Sequence, residues 1–197
     1  MSAAGRVATG FSKPYVAKYS NSGTTVSYSD GIRLARGVYV NINPESSDDN
    51  NFYVDNIKGE SASGQFTGGN VKITVDGLFT AAERFIMGLP AADADGWTAY
   101  GADQKAPYVG LGFIVKYQSE GVISWVPFVL TKVQFEQIST EAATQEEEID
   151  WQTQSLTAQL NRDDSANKVW KYLGKEYVTE ALAEAALCTK LGITYSA

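Results

Sequence analysis

Carboxylates are the only abundant side chains here with catalytic potential, and they come in runs: Asp48-Asp49, Glu146-Glu147-Glu148 and Asp163-Asp164. Two carboxylates hydrolyse a glycoside when they face each other across the sugar. Neighbours in an extended chain point to opposite faces, so none of these runs specifies a converging pair, and all read as solvated loops. The chain has no histidine. That removes the commonest general base and metal ligand, and with it Cys–His and Ser–His nucleophile pairs; Ser–Lys variants stay open. The single cysteine, Cys188, excludes an internal disulfide and a thiolate zinc cluster. In its Ala-rich stretch it reads as a small buried packing residue.

Other constellations are no sharper. Asp48-Asp49-Asn50-Asn51, with Asp55 and Asn56, has the composition of a calcium loop but not the alternating ligand spacing of one. Gly64 to Gly69 lacks the following Lys-Ser/Thr of a phosphate-binding loop, and Gly68-Gly69 reads as a turn. Gly110 and Gly112, inside a strand pattern, mark a bulge or a close approach by another chain. Of the tryptophans Trp97, Trp125, Trp151 and Trp170, Trp125 lies in an apolar run and reads as core. Trp97, in a polar loop, is the candidate surface aromatic for sugar stacking or an interface. No catalytic, cofactor or metal site emerges, so the chain is expected not to be an enzyme.

The elements that position these residues are mostly strands. Residues 1–12 have no periodicity and are expected as a flexible tail, with a single domain over 13–197. Tyr15 to Tyr19 and Thr24 to Tyr28 flank Asn21-Ser22-Gly23 and predict a hairpin; Asp30-Gly31 predicts a turn. Gly37 to Asn43 alternates, with Val38, Val40 and Ile42 on one face. Pro44 to Asn51 is polar and acidic and predicts an exposed loop, with re-entry into a strand at Phe52-Tyr53-Val54. Gly64 to Asn70 reads as turn-like, and Val71 to Val75 as a strand. Thr80-Ala81-Ala82-Glu83 matches a capping box for a helix over 81–87, closed by Gly88 and Pro90.

Ala91 to Ala106 is acidic and turn-rich. Tyr108 to Gln118 and Val122 to Gln137 predict a long hairpin through Ser119-Glu120-Gly121. Glu141 to Glu148 is an acidic connection, Trp151 to Leu160 a loosely alternating strand, and Asn161 to Ser165 a turn. Thr179 to Leu191, followed by Gly192, predicts a C-terminal helix with Glu180 and Glu184 early and Lys190 late. The sum is mainly β (α+β): a β-sandwich or open barrel with a short flanking helix and a C-terminal helix.

Composition narrows the partners. The chain has 197 residues, with 16 Lys and Arg against 23 Asp and Glu, a net charge of −7. That balance argues against gripping nucleic acid through its phosphates. No apolar run approaches a membrane span and the first ten residues lack a signal core, so a soluble, cytoplasmically made protein is expected.

Several blocks, in order, resemble the major tail proteins of siphophages, the phages with long non-contractile tails. They are Tyr15-Val16-Ala17-Lys18-Tyr19 with Asn21-Ser22-Gly23; Gly37-Val38-Tyr39-Val40-Asn41-Ile42-Asn43-Pro44-Glu45; and Phe52-Tyr53-Val54-Asp55-Asn56. They continue with Val71-Lys72-Ile73-Thr74-Val75-Asp76-Gly77-Leu78 before a capped helix, and Pro107-Tyr108-Val109-Gly110-Leu111-Gly112-Phe113 opening a hairpin that ends Lys132-Val133-Gln134-Phe135. The last is Glu146-Glu147-Glu148-Ile149-Asp150-Trp151-Gln152-Thr153-Gln154-Ser155-Leu156-Thr157. The resemblance spans residues 13–165; the C-terminal helical stretch departs from the pattern.

The resemblance implies a tail-tube-like fold and a structural virion protein. It would form hexameric rings around a β-barrel lumen that stack helically into the tail tube. Its partners would be itself, the tape measure protein, tail terminator and distal tail proteins, and phage DNA passing without specific binding. It would be assembled in the host bacterial cytoplasm, without a membrane or cofactor. By analogy, ring stacking falls on Pro44-Glu45-Ser46-Ser47-Asp48-Asp49-Asn50-Asn51-Phe52-Tyr53. An acidic chain suits a lumen that repels phosphate. The alternatives are a carbohydrate-binding β-sandwich using Trp97, another virion part such as a tail terminator or capsid decoration protein, and a small hydrolase with paired carboxylates.

Overall fold

A computed structural model describes residues 5–47, 50–54, 57–62, 64–141, 144 and 152–195, with residues 50–54 and 57–62 described by their backbone alone. Ten strands and two helices follow in the order β1 (Val7–Ser22), β2 (Thr25–Arg33), β3 (Gly37–Ser46), β4 (Asn50–Val54), β5 (Ile57–Ala62), β6 (Phe66–Val75), α1 (Thr80–Met87), β7 (Tyr108–Ser119), β8 (Val122–Phe135), β9 (Gln154–Asn161), β10 (Lys171–Leu173) and α2 (Glu180–Lys190). Eight strands form one antiparallel sheet in the order β2-β1-β7-β8-β9-β6-β3, with β10 paired to β8; β4 and β5 form a separate two-stranded hairpin. The protein is mainly β, of the β-sandwich or open-barrel class with flanking helices.

The sheet curls until its last strand returns over its second. Gly37 of β3 lies against the Phe11 ring of β1, though no hydrogen-bonded ladder joins them. The curl divides each strand's side chains between two cores. Val16, Ile73, Phe113, Leu130 and Leu160 point inward, where α1 closes the barrel with Ala82, Ile86 and Met87. Ala17, Ile114 and Val129 point outward, where α2 covers them with Ala183, Leu187 and Leu191. The one-residue step from Val16 to Ala17, or Phe113 to Ile114, switches cores, as the period of a strand requires. Full burial of each such aliphatic or aromatic side chain stabilises the fold by about 1.5–3 kcal/mol.

Several sequence expectations need correction. Residues 7–12, expected within the flexible tail, form the first part of β1 and pair with Gln118 to Ile114 of β7. Two register shifts in that pairing, at 8–10 and 12–15, scramble the alternation that would have revealed the strand. Asp30-Gly31 is a bulge inside β2, not a turn: Val16 faces Ile32 while Lys18 faces Ser29. Another irregularity between Gly37 and Tyr39 turns Val38 out to solvent, so only Val40 and Ile42 pack on the core. Pro44, Glu45 and Ser46 extend β3 instead of forming a loop. They can because β3 is an edge strand, where a residue without an N–H is tolerated.

Of Gly64 to Asn70, read as turn-like, residues Phe66 to Asn70 lie in β6. Gly69 faces Pro44 at φ +151, and a Cβ there would sit 2.3 Å from the Asn43 carbonyl oxygen, so the glycine permits the close pairing. The capping box does not form. Phe79 is the N-cap of α1 and supplies no side-chain bond; its carbonyl accepts from the Ala82 and Glu83 amides, and Glu83 instead accepts from the Tyr100 hydroxyl at 2.6 Å. Gly88 ends α1 as expected. Gly110 stands at the register shift between Val109 and Leu111, as a bulge reading expects, and a Cβ there would meet the Tyr28 ring at 2.5 Å; Gly112 marks a close approach, but by α2 of the same chain, where a Cβ would stand 2.6 Å from Leu187.

Candidate functional site

The most distinctive surface is built by β3 and its neighbours. Strand β3 pairs with β6 on one side; among the described residues its other edge has no partner, and the same holds for β2 at the opposite end of the sheet. Unpaired edges carry a row of free N–H and C=O groups and are templates for another chain. Beside the β3 edge runs an open groove of about 490 Å³ lined by Phe11, Val40, Ile42, Phe113, Val115 and Phe128. Val38 and Tyr39, each about half exposed, form its lip.

The outward face of β3, β6 and β9 is polar. Its rows follow the register: Tyr39–Thr74–Ser155, Asn41–Lys72–Thr157 and Asn43–Asn70–Gln159. The Asn43 amide donates to Asn70 at 3.1 Å, Thr74 and Ser155 hydroxyls lie 3.1 Å apart, and Gln159 donates to Glu136 at 2.5 Å. Lys72 is the only charge in the nine positions. The β4–β5 hairpin projects from the end of this face. Its root is tied by the Ser47 amide to the Gln65 carbonyl at 2.9 Å and by the Gln65 amide to the Ser47 hydroxyl at 3.0 Å.

The residues expected at a stacking interface therefore divide. Pro44, Glu45 and Ser46 are strand, Ser47 is the hinge of the hairpin, and Asn50, Asn51, Phe52 and Tyr53 lie in β4. Asp48 and Asp49, and with them the core of the candidate calcium loop, lie outside the described residues, as do Glu146, Glu147, Glu148, Asp150 and Trp151. Among the described residues no three His, Cys, Asp or Glu side chains are grouped to hold a metal.

Of Asp163-Asp164, expected as a solvated pair, Asp164 is exposed and Asp163 is not. Asp163 is buried, its Oδ1 accepting from the Ser165 amide and hydroxyl at 3.1 and 2.6 Å. Asp164 points the other way, accepting from Lys132 Nζ and the Tyr19 hydroxyl, both at 2.8 Å. These bonds, Lys132 first, hold its carboxyl below the usual carboxylate range. Burial and the carboxylate neighbour raise Tyr19 to about 12. The two carboxylates diverge, so they make no hydrolytic pair.

Sequence reasoning placed Glu184 early in the C-terminal helix but missed its buried role. It is buried between β1 and α2, accepts from the Tyr15 hydroxyl at 2.6 Å, and pairs with Lys13 Nζ at 3.1 Å. Burial and this carboxylate push the Tyr15 phenol well above its ordinary value. A signal existed: Glu184 stands four residues before Cys188 and seven before Leu191, on the face that packs. Cys188 is buried as expected, and burial pushes its thiol up.

The aromatics separate too. Trp170 stacks on Phe66 with ring centres 4.8 Å apart. Trp125 packs half-buried at the edge of the outer core. Trp97 is 76% exposed. Among the described residues no helix is long and apolar enough to cross a membrane. Compared with known proteins, the chain matches no family model and no curated protein.

Proposed function

We propose that the protein is a structural, non-catalytic subunit that assembles with itself into stacked rings, forming a tube like that of a long-tailed phage. The observation that carries this reading is the curled sheet with two unpaired edges, one of them beside an exposed apolar groove. Such a molecule can receive a neighbour's edge at β3 and offer its own at β2, a head-to-tail contact that closes into a ring when the rotation allows. The nearly uncharged polar face of β3, β6 and β9 suits the wall of a channel, because it offers phosphate no cationic stripe to hold it. The β4–β5 hairpin suits contact with the next ring. In this reading the tube encloses a tape measure protein, conducts DNA, meets terminator and distal tail proteins at its ends, and is part of a virion.

Negative-stain electron microscopy of dilute and concentrated protein tests it. Hollow tubes or stacked six-fold rings are the expected result. A monomer at every concentration that binds a glycan through Trp97 would replace this reading with a carbohydrate-binding one, for which the exposure of Trp97, and of Tyr100 in the same loop, is the favouring observation.

A further inference from the structure

The two ends of the β6–β9 ladder carry opposite chemistry. At the Asn161 end, a cleft of about 670 Å³ opens between the root of the β4–β5 hairpin and the loop after β9, and its charged lining is Lys132, Arg162 and Lys168 with Asp163 and Asp164. Lys132 is already engaged with Asp164 at 2.8 Å and lies 4.6 Å from the centre of the Tyr108 ring. Asp163 is turned to Ser165. Among the described residues Arg162 and Lys168 have no ion-pair partner. The cleft thus holds two cations whose neighbouring carboxylates are committed elsewhere.

At the other end, Glu141 and Gln152 both stand beside Gly77 and Gln154. The stretch between them, residues 142–151, contains Glu146, Glu147, Glu148 and Asp150 and neither Lys nor Arg. We propose that this acidic stretch of one copy docks into the Arg162–Lys168 cleft of a second copy stacked end to end with it. Charge complementarity selects the occupant: consecutive carboxylates against a lysine and an arginine, whose fork suits a carboxylate.

Chain length selects a second copy over the same one. Ten residues that leave and return to one place reach about 18 Å at most, even with both arms straight. The cleft lies beyond the far end of β9, whose eight residues span about 24 Å. A copy placed above in register brings its acidic end directly to the cleft. The contact is heterologous and does not close, so it propagates as a filament. The inference deepens the tube reading by naming a bond between successive rings.

The test mixes full-length copies carrying Arg162→Cys with copies carrying Glu147→Cys under mild oxidation, the native Cys188 being buried. A cross-linked dimer on mixing is expected, with no such dimer from Glu147→Cys alone, and with the double variant forming multimer ladders. An intrachain bridge alone in the double variant overturns the proposal. Independently, Arg162→Glu with Lys168→Glu should raise the concentration needed for self-association by about tenfold, and adding Glu146→Lys with Glu147→Lys should restore it. No rescue would overturn the pairing. Tubes in micrographs without the cross-link would remove this contact and leave the tube reading standing. Cross-linked chains without hollow tubes would keep the contact and remove the tube.

Discussion

Glu184 and Lys13 show how one residue can hold an element in place. Lys13 sits in the left-handed region, φ +54, at a register break of β1, and that turn brings its amine to the Glu184 carboxylate under α2. Glu184→Ala would strand the Tyr15 hydroxyl and the Lys13 amine. We expect a loss of about 3 kcal/mol in urea unfolding, with Glu184→Gln losing less because the amide oxygen still accepts from Tyr15. Asp164 gives a pH signature. Its folded pKa lies below its unfolded value of about 3.9, so its stabilisation is full above that value and is lost as pH falls through the folded one. Lys132→Met should flatten that acid-side slope, read by unfolding between pH 2 and pH 7. The spacing of Glu184 to Cys188 and Leu191 places it on the packed face of the helix, but neither its partner nor the role of Asp164 can be read from the sequence. A lysine at a bulge and a glutamate on a helix are ordinary until the backbone irregularity that joins them is seen.

The helices make a matched pair at the next scale. Thr179 accepts from the Leu182 amide at 3.4 Å, whereas Thr80 lies inside α1 and the cap position belongs to Phe79. Thr179→Ala should therefore cost about 1 kcal/mol and Thr80→Ala far less, measured by thermal unfolding. Gly69→Ala should be worse than either, by 2 kcal/mol or about that, because the added methyl meets the backbone of Asn43. The long β7–β8 hairpin and α2 were legible because their apolar periods are long and their ends are marked by Glu120-Gly121, Thr179 and Gly192. Strand β10 was not, since three residues carry no period. Pro44 and Gly68-Gly69 misled for a common reason: breaker residues mark loops in a central strand, but at an edge they are compatible with pairing. Only the pairing partner, invisible in one sequence, tells the cases apart.

For the whole molecule, the proposed assembly predicts that removing the hairpin and removing the cleft charges act on two separate contacts. Deleting Asp48 to Ser63, which takes out β4 and β5 and leaves Ser46 in β3 and the Ser47–Gln65 bonds in place, is expected to stop tubes from growing while leaving the β-rich circular dichroism intact, because the hairpin forms its own sheet; unaltered tubes would take the hairpin out of stacking. The candidate surface was only partly readable beforehand. The strand at Phe52-Tyr53-Val54 was readable, but not β5 or the hairpin that it completes, and the groove and the polar face depend on how the sheet curls, which is a property of long-range pairing. That pairing also has a consequence in time. Strand β1 must wait for β7, whose partner residues for Val7 and Ala8 are Gln118 and Tyr117. A ribosome adding about 5–20 residues per second leaves β1 without its inner neighbour for several seconds. The β1–β2 hairpin spends that time with the apolar Val16 and Ala17 uncovered on both faces. The outer core is sealed only later, once α2, which follows β10, has emerged. Refolding should accordingly be slow for a chain of this size, and the half-built hairpin stays open to chaperones and to other nascent chains for as long as β7 is missing.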